Sequence, residues 1–144
     1  MKINVKKLDG RAIIPTYGSD FSVGADLYAL TDADIKIAPR ETALIHTGIS
    51  IEIPVGYGGF IYARSGLSTK RGLAPANKVG VIDADYRGEI MVPLYNQSSD
   101  VQTVSSGDRI AQLVIAPFLK AEFEICDELD ATDRGTSGFG STGK

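Results

Sequence analysis

Three stretches carry apolar residues in a pattern that no single helix face can bury: ALIHTGISIEI (43–53), EIMVPLYN (89–96) and RIAQLVIAPF (109–118). In the first, Ile45, Thr47, Ile49, Ile51 and Ile53 recur at every second position, the period of a β-strand with one face inward. In the second, Ile90, Val92 and Leu94 point inward, and Pro93 on the opposite face reads as an edge strand or a bulge. The third is apolar at nearly every position from Ile110 to Ile115, as expected of a strand covered on both sides. Gln112 interrupts that run and needs a hydrogen-bond partner if it is buried. Turn residues cluster between the segments, in PVGYGG (54–59), NQSSD (96–100) and SSGD (105–108). Strands spaced in this way imply an all-β sandwich or barrel. The one helical expectation is a turn or two within SGLSTKRG (65–72).

The chain has 144 residues, enough for one domain with a real core. Its formal net charge of −3 argues against a nucleic-acid coat or a membrane-surface protein, though not against a nucleotide substrate. No stretch approaches the roughly 20 apolar residues of a membrane span, and the N-terminus lacks an apolar run of signal-peptide length. The single cysteine, Cys126, reads as a small buried or half-buried residue of a protein in a reducing compartment. A cytoplasmic location is expected.

From about Cys126 the character changes: CDELDATD is acidic, and RGTSGFGSTGK is rich in glycine with almost nothing to bury. A core domain over 1–125 and a flexible arm over 126–144 are therefore expected. Gly138 to Lys144 fits the spacing G-x-x-x-x-G-K, but a P-loop needs a preceding strand and a following helix, and the sequence ends at that lysine. A plain linker has no use for the guanidinium of Arg134 or the ring of Phe139.

Chemistry concentrates in two places. In YARSGLSTKRGL (62–73), Arg64 leaves a strand and Ser65-Gly66 turns toward the short helix, a combination of cationic fork and exposed N–H groups suited to phosphate. In NKVGVIDADYRGEI (77–90), read as strand, tight turn, strand, Asp83 and Asp85 share a face if the strand stays regular. A carboxylate there has the means to orient and deprotonate a water. GADLYA (24–29) and GDRIAQLV (107–114) each place an aspartate after a glycine beside an apolar strand. His46 has no second His or Cys nearby, so zinc-type ligation is not expected. The acidic run 127–133 lacks EF-hand spacing.

Taken together, GADLYA, RSGLS, GVIDADYRGEI, GDRIAQLV and RGTSGFGSTG stand in the order and spacing of the five motifs of the trimeric dUTP diphosphatase (dUTPase) family, which this chain resembles from about residue 20 to its C-terminus. The resemblance implies a distorted jelly-roll-like β-barrel or sandwich with a Gly-rich C-terminal arm. It also implies a homotrimer whose sites combine motifs one, two and four of one subunit with motif three of a second and motif five of a third. The implied reaction is hydrolysis of dUTP to dUMP and pyrophosphate, which keeps uracil out of DNA and supplies dUMP for dTMP synthesis. Mg2+ is expected on the substrate phosphates and water rather than on direct protein ligands.

By the same resemblance, Asp83 is the carboxylate that activates water, Gln112 the amide that helps hold phosphates and water, and Arg134 the arginine that meets the γ-phosphate. Arg64, Ser65 and Gly66 resemble the phosphate cradle. The backbone around Asn77 to Gly80 resembles the uracil reader, and Tyr86 the ring beneath the deoxyribose. Phe139 resembles the ring stacked on uracil, with Gly140, Ser141 and Thr142 adding donors, and Asp26 is a supporting residue. Nucleic acid and membrane are not among the expected partners. Three other readings stand beside this one: a dCTP deaminase, which requires a catalytic glutamate, a binding protein of the kind phage members of the family can be, and a structural jelly-roll subunit, which explains the strands but not the arm. Phage-type members insert a segment between motifs three and four, but only a short stretch lies there in this chain.

Overall fold

A computed structural model of the protein describes residues 1–138. Along the chain the strands are β1 (Asn4–Lys7), β2 (Thr16–Tyr17), β3 (Ala25–Tyr28), β4 (Ile35–Ile37), β5 (Thr42–His46), β6 (Ile49–Glu52) and β7 (Tyr57–Tyr62). The helix α1 (Ser65–Arg71) follows, then β8 (Leu73–Pro75), β9 (Gly80–Ile82), β10 (Met91–Asn96), β11 (Gln102–Val104) and β12 (Arg109–Pro117). All pairings are antiparallel. They make one five-stranded sheet in the order β2-β3-β12-β7-β9, a three-stranded sheet β5-β10-β8, and two ribbons, β1-β6 and β4-β11. The sheets stack as a jelly-roll-like sandwich and do not close into a barrel, as expected of short alternating strands around one core.

The alternation dictates the packing. Ile45, Ile49, Ile51 and Ile53 are buried, and the period survives the turn at Thr47-Gly48, where Gly48 adopts φ +68°. Ile90, Val92 and Leu94 are fully buried. Pro93, however, does not mark an edge: β10 is the middle strand of its sheet. The β8 ladder begins one residue later, at Leu94 opposite Pro75, and the Pro93 carbonyl accepts from Ala76 on that same side. The proline's missing N–H therefore falls at the very end of the β8 ladder, opposite Ala76, where only a terminal bond is forgone. In β12 only Ile110, Ala111 and Leu113 are buried, and the strand is half-covered beyond them.

The segment 77–90 departs further from the strand–turn–strand expectation. β9 pairs with β7, β8 pairs with β10, and neither pairs with the other, so the turn at 76–79 carries the chain from one sheet to the next. β9 ends at Ile82, which leaves Asp83 to open a turn closed by Tyr86 N–H onto its carbonyl (3.1 Å). Asp83 and Asp85 therefore do not lie on one strand face. Cys126 is exposed, not buried, because the chain from Leu119 to Ser137 forms no strand or helix and lies open to solvent.

The helix sits where expected and is secured at its C-terminal end. Gly72 takes φ +66° and its N–H caps onto Ser68 (3.1 Å), while Arg71 donates to Gln102 (3.2 Å) and to the Thr103 carbonyl on β11. The deepest polar group is Asn96, with no exposed surface. Its amide donates to the carbonyls of Ile37 (2.9 Å) and Asp100 (2.7 Å), and its oxygen accepts from the Ser98 N–H (2.9 Å) and hydroxyl (2.7 Å). Asn96→Ala leaves buried backbone groups unpaired and is expected to cost about 3 kcal/mol, read as a lower urea midpoint at unchanged slope.

Candidate active site

The register of three adjacent strands brings the first group of predicted residues together. Gln112 on β12 lies opposite Asp26 on β3 and opposite Tyr62 on β7. Two residues past Tyr62 the chain reaches Arg64, the N-cap of α1. Asp26 takes the Arg64 Nε on one oxygen (2.7 Å) and an Arg109 guanidinium nitrogen on the other (3.2 Å). Arg64 also donates to the Arg109 carbonyl (3.2 Å). With the Asp26 side chain 14% exposed and that of Arg64 25%, this is a half-desolvated pair in which the carboxylate fixes the direction of the guanidinium. Arg109, at 53%, keeps its free face toward solvent.

Around these groups lies a concavity of about 370 Å³, walled also by Gly18, Ser22, Gly24, Ser65, Gly66 and Gln112. Ser65, Gly66 and Leu67 stand before the first helical bond, Ser68 N–H to the Arg64 carbonyl (2.9 Å), so their N–H groups have no acceptor within the helix. A Cβ added at Gly66 would meet nothing within 4 Å, so that wall is open to an incoming group. Gln112 finds the partner it needs in the Ala63 carbonyl (2.8 Å). Its side chain packs on the bare α-carbon of Gly24, where an added Cβ would sit 3.1 Å from both Gln112 Cβ and Cδ.

The remaining predicted residues stand elsewhere. Asp83 is exposed and borders two other concavities, one with Asp85, Arg87 and Lys120, the other with Leu44, Val81 and Tyr86. None of the residues walling the Arg64 concavity walls either of these. Asn77 is exposed beside buried Gly80, whose added Cβ would lie 3.3 Å from the Asn77 amide nitrogen. Tyr86 donates its hydroxyl to the Glu89 carbonyl (3.0 Å). Arg134 is exposed, and its Nε donates to the Ser137 carbonyl (2.9 Å). Phe139, Gly140, Ser141 and Thr142 lie outside the described residues. Among the described residues no cluster of three or more His, Cys, Asp or Glu side chains is placed to hold a metal ion. Nor is any helix among them long and apolar enough to cross a membrane.

Sequence reasoning missed three contributors. Arg109 had a visible signal, a cation opening an otherwise apolar strand in the same segment as Gln112. The closeness of Gly24 to Gln112 had none, because it depends on strand register. The link from Glu89 to Tyr86 was hidden by the expectation of a regular hairpin.

A β-sandwich that turns a braced guanidinium, a second arginine, an amide and unpartnered N–H groups onto one wall belongs with proteins that bind polyanionic ligands. The comparisons narrow that class. The dUTPase family model matches residues 10–143. A deoxyuridine 5'-triphosphate nucleotidohydrolase of Desulfitobacterium hafniense is 49% identical, covering 99% of this chain and 95% of its own. The dUTPase of Staphylococcus bacteriophage 80alpha, solved with dUPNHPP, superposes with a TM-score of 0.86 at 28% identity, covering 99% of each chain. A mutant dUTPase from phage phi11 of S. aureus, described as revealing coordination of a structural Mg(II) ion, gives 0.78 at 25% identity over 89% of this chain and 98% of that one. The chain belongs to the dUTPase family.

Gly24→Ala presses a methyl group against Gln112 and displaces its amide. Since misplacement by about 1 Å costs on the order of 100-fold, kcat/KM for dUTP is expected to fall by about that factor while the urea midpoint changes little.

Proposed function

We propose that this chain hydrolyses dUTP to dUMP and pyrophosphate in a site assembled from several copies of itself. The observation that carries the reading is the Arg64–Asp26–Arg109 arrangement beside Gln112 and the start of α1, a wall matched to a triphosphate and held in place before any ligand arrives. Family membership supplies the nucleotide and the reaction.

The division of residues supports a shared site. The phosphate wall and Asp83 line separate concavities of one chain, so a second copy must bring its Asp83 and Tyr86 to the first copy's Arg64. A homotrimer satisfies this at every position. The exposed stretch after β12 fits the same assembly. Leu119, Phe123 and Ile125 are each at least 94% exposed and alternate with Lys120, Glu122 and Glu124, a strand pattern with no partner in its own chain among the described residues. Residues 126–144 then act as an arm reaching a neighbour's site, which brings Arg134 to the γ-phosphate and Phe139 over the uracil, with donors from Gly140, Ser141 and Thr142.

In this reading Arg64, Ser65 and Gly66 grip the phosphates, and Gln112 steadies them together with the attacking water. Asp83 accepts the water's proton as its oxygen attacks the α-phosphorus in line. The bond to the bridging oxygen breaks, pyrophosphate leaves and dUMP remains. Magnesium, carried in on the triphosphate and not on protein ligands, would supply neutralisation of the phosphate charge beside Arg64 and Gln112. Asp26 is engaged by two arginines and is a brace, not a metal ligand. Uracil meets the backbone and amide near Asn77 and Gly80, and mismatched polar groups there reject cytosine by roughly 10⁴ or more. Tyr86 closes the space a 2′-hydroxyl needs. The arm's closure excludes water and completes the site. The cytoplasm, where nucleoside triphosphates are made and used, is the compartment that suits this activity and a lone exposed thiol.

Phosphorus NMR of the protein with dUTP and magnesium tests this directly. Pyrophosphate and dUMP from dUTP alone, with dTTP, dCTP and UTP untouched and EDTA stopping turnover, are the expected results. Deamination of dCTP, or no reaction from a folded oligomer, overturns the reading. Removing residues 134–144 is expected to leave the oligomer intact and cut kcat at least 100-fold. Near-normal turnover by that truncation removes the arm from the mechanism.

A further inference from the structure

Thr47 and Ser50 are buried polar residues whose side chains serve one purpose: both hold the far end of the segment that begins at Asp83. Thr47 donates its hydroxyl to the Ile90 carbonyl (2.5 Å) and Ser50 to the Arg87 carbonyl (2.8 Å). Between them, the Ile49 carbonyl accepts the Ile90 N–H (2.9 Å). Gly48 directs its N–H at one Glu89 carboxylate oxygen (2.8 Å), while His46 Nδ1 lies 2.8 Å from the other. Residues 46–50 thus form a platform that holds Arg87, Glu89 and Ile90.

Glu89 is the centre of that contact, with its side chain 21% exposed. Burial works against its charge, but the bonds from His46, Gly48 and Thr47 outweigh burial and hold its carboxyl below the usual carboxylate value. Its backbone faces the other way, where its carbonyl receives the Tyr86 hydroxyl (3.0 Å). The Tyr86 ring lies directly on Gly88, where an added Cβ would fall 2.5 Å from the ring's Cζ. One residue therefore grips the scaffold with its side chain and the aromatic ring with its main chain. Asp83 has an anchor besides its turn bond to the Tyr86 N–H, because it follows Ile82, the last residue of β9, which pairs with Gly59 on β7.

We propose that Glu89 is the positioning residue for sugar selection, fixing the Tyr86 ring so tightly that a 2′-hydroxyl finds no space. The proposal rests on the reading of Tyr86 as the surface beneath the deoxyribose. A loose apolar wall rejects an added hydroxyl only about 100-fold, so rigidity at this ring decides how far selection exceeds that. Because Asp83 has its own anchor, loss of Glu89 acts on sugar selection and KM more than on the chemical step.

Steady-state kinetics with dUTP and UTP separate the outcomes. Glu89→Ala is expected to raise the dUTP KM and to lower the dUTP-over-UTP ratio of kcat/KM about tenfold, with kcat for dUTP within about twofold of the parent. Glu89→Gln keeps an oxygen for the Gly48 N–H and restores most of the ratio. His46→Ala, which removes only the more exposed partner, leaves the ratio within about twofold. Should Glu89→Ala not fold, Tyr86→Phe deletes the hydroxyl held by the Glu89 carbonyl at an exposed side chain, and the same loss of ratio is expected. An unchanged ratio in Glu89→Ala, or in Tyr86→Phe where that stands in, overturns the proposal. So does an equal fall of kcat for both nucleotides with the ratio intact, which marks a purely structural role. Failure of the parent protein to hydrolyse dUTP overturns the functional reading instead, and the two failures are told apart by that control.

Discussion

A single carboxylate with two guanidiniums on it organises the wall of the Arg64 concavity. Asp26 reaches Arg64 and Arg109 because β12 runs between β3 and β7 with Gln112 opposite Asp26 and opposite Tyr62, and a shift of register between Arg109 and Ala111 sets where Arg109 stands. A slip of one residue along β12 would turn Gln112 to the other face and carry Arg109 away from the carboxylate. The core enforces that register, since Ile110, Ala111 and Leu113 must stay buried for the sheet to pack. The energetics of an ordinary β-sandwich interior therefore set the geometry of the charged surface beside it. Two arginines side by side repel one another, and the shared acid between them makes their closeness tolerable.

Much of this was legible from residue spacing, and the limits are physical. Period-two alternation marked Ile45 to Ile53 and Ile90 to Leu94 as inward, and both sets are buried. Turn residues located the breaks, and Ser65 to Arg71 is helical as expected. Spacing cannot state which strand lies beside which. For that reason Pro93 reads as an edge or a bulge although it lies in a middle strand, and 77–90 reads as a hairpin although only Gly80–Ile82 within it is a strand. Small sulfur-bearing side chains are usually buried or half-buried, but Cys126 falls on an exposed stretch with nothing among the described residues to pack against.

The same distinction applies to the candidate site. Arg64, Gln112 and Asp26 are joined by sheet register, and motif order was enough to single them out. Arg109 shares its segment with Gln112, and its place beside Asp26 follows from strand pairing, which spacing does not state. Gly24 and Gly88 act by lacking a Cβ, and a missing atom leaves no chemical signature in a sequence.

The uncovered stretch after β12 has a cost when copies of the chain are dilute. Leu119, Phe123 and Ile125 offer a bare apolar ridge with free main-chain groups, the material from which unwanted sheets are built. Lys120, Glu122 and Glu124 interrupt that ridge at every second position. They act as gatekeepers that make stacking of like segments electrostatically awkward. The stretch thus carries its own protection against clumping of like segments.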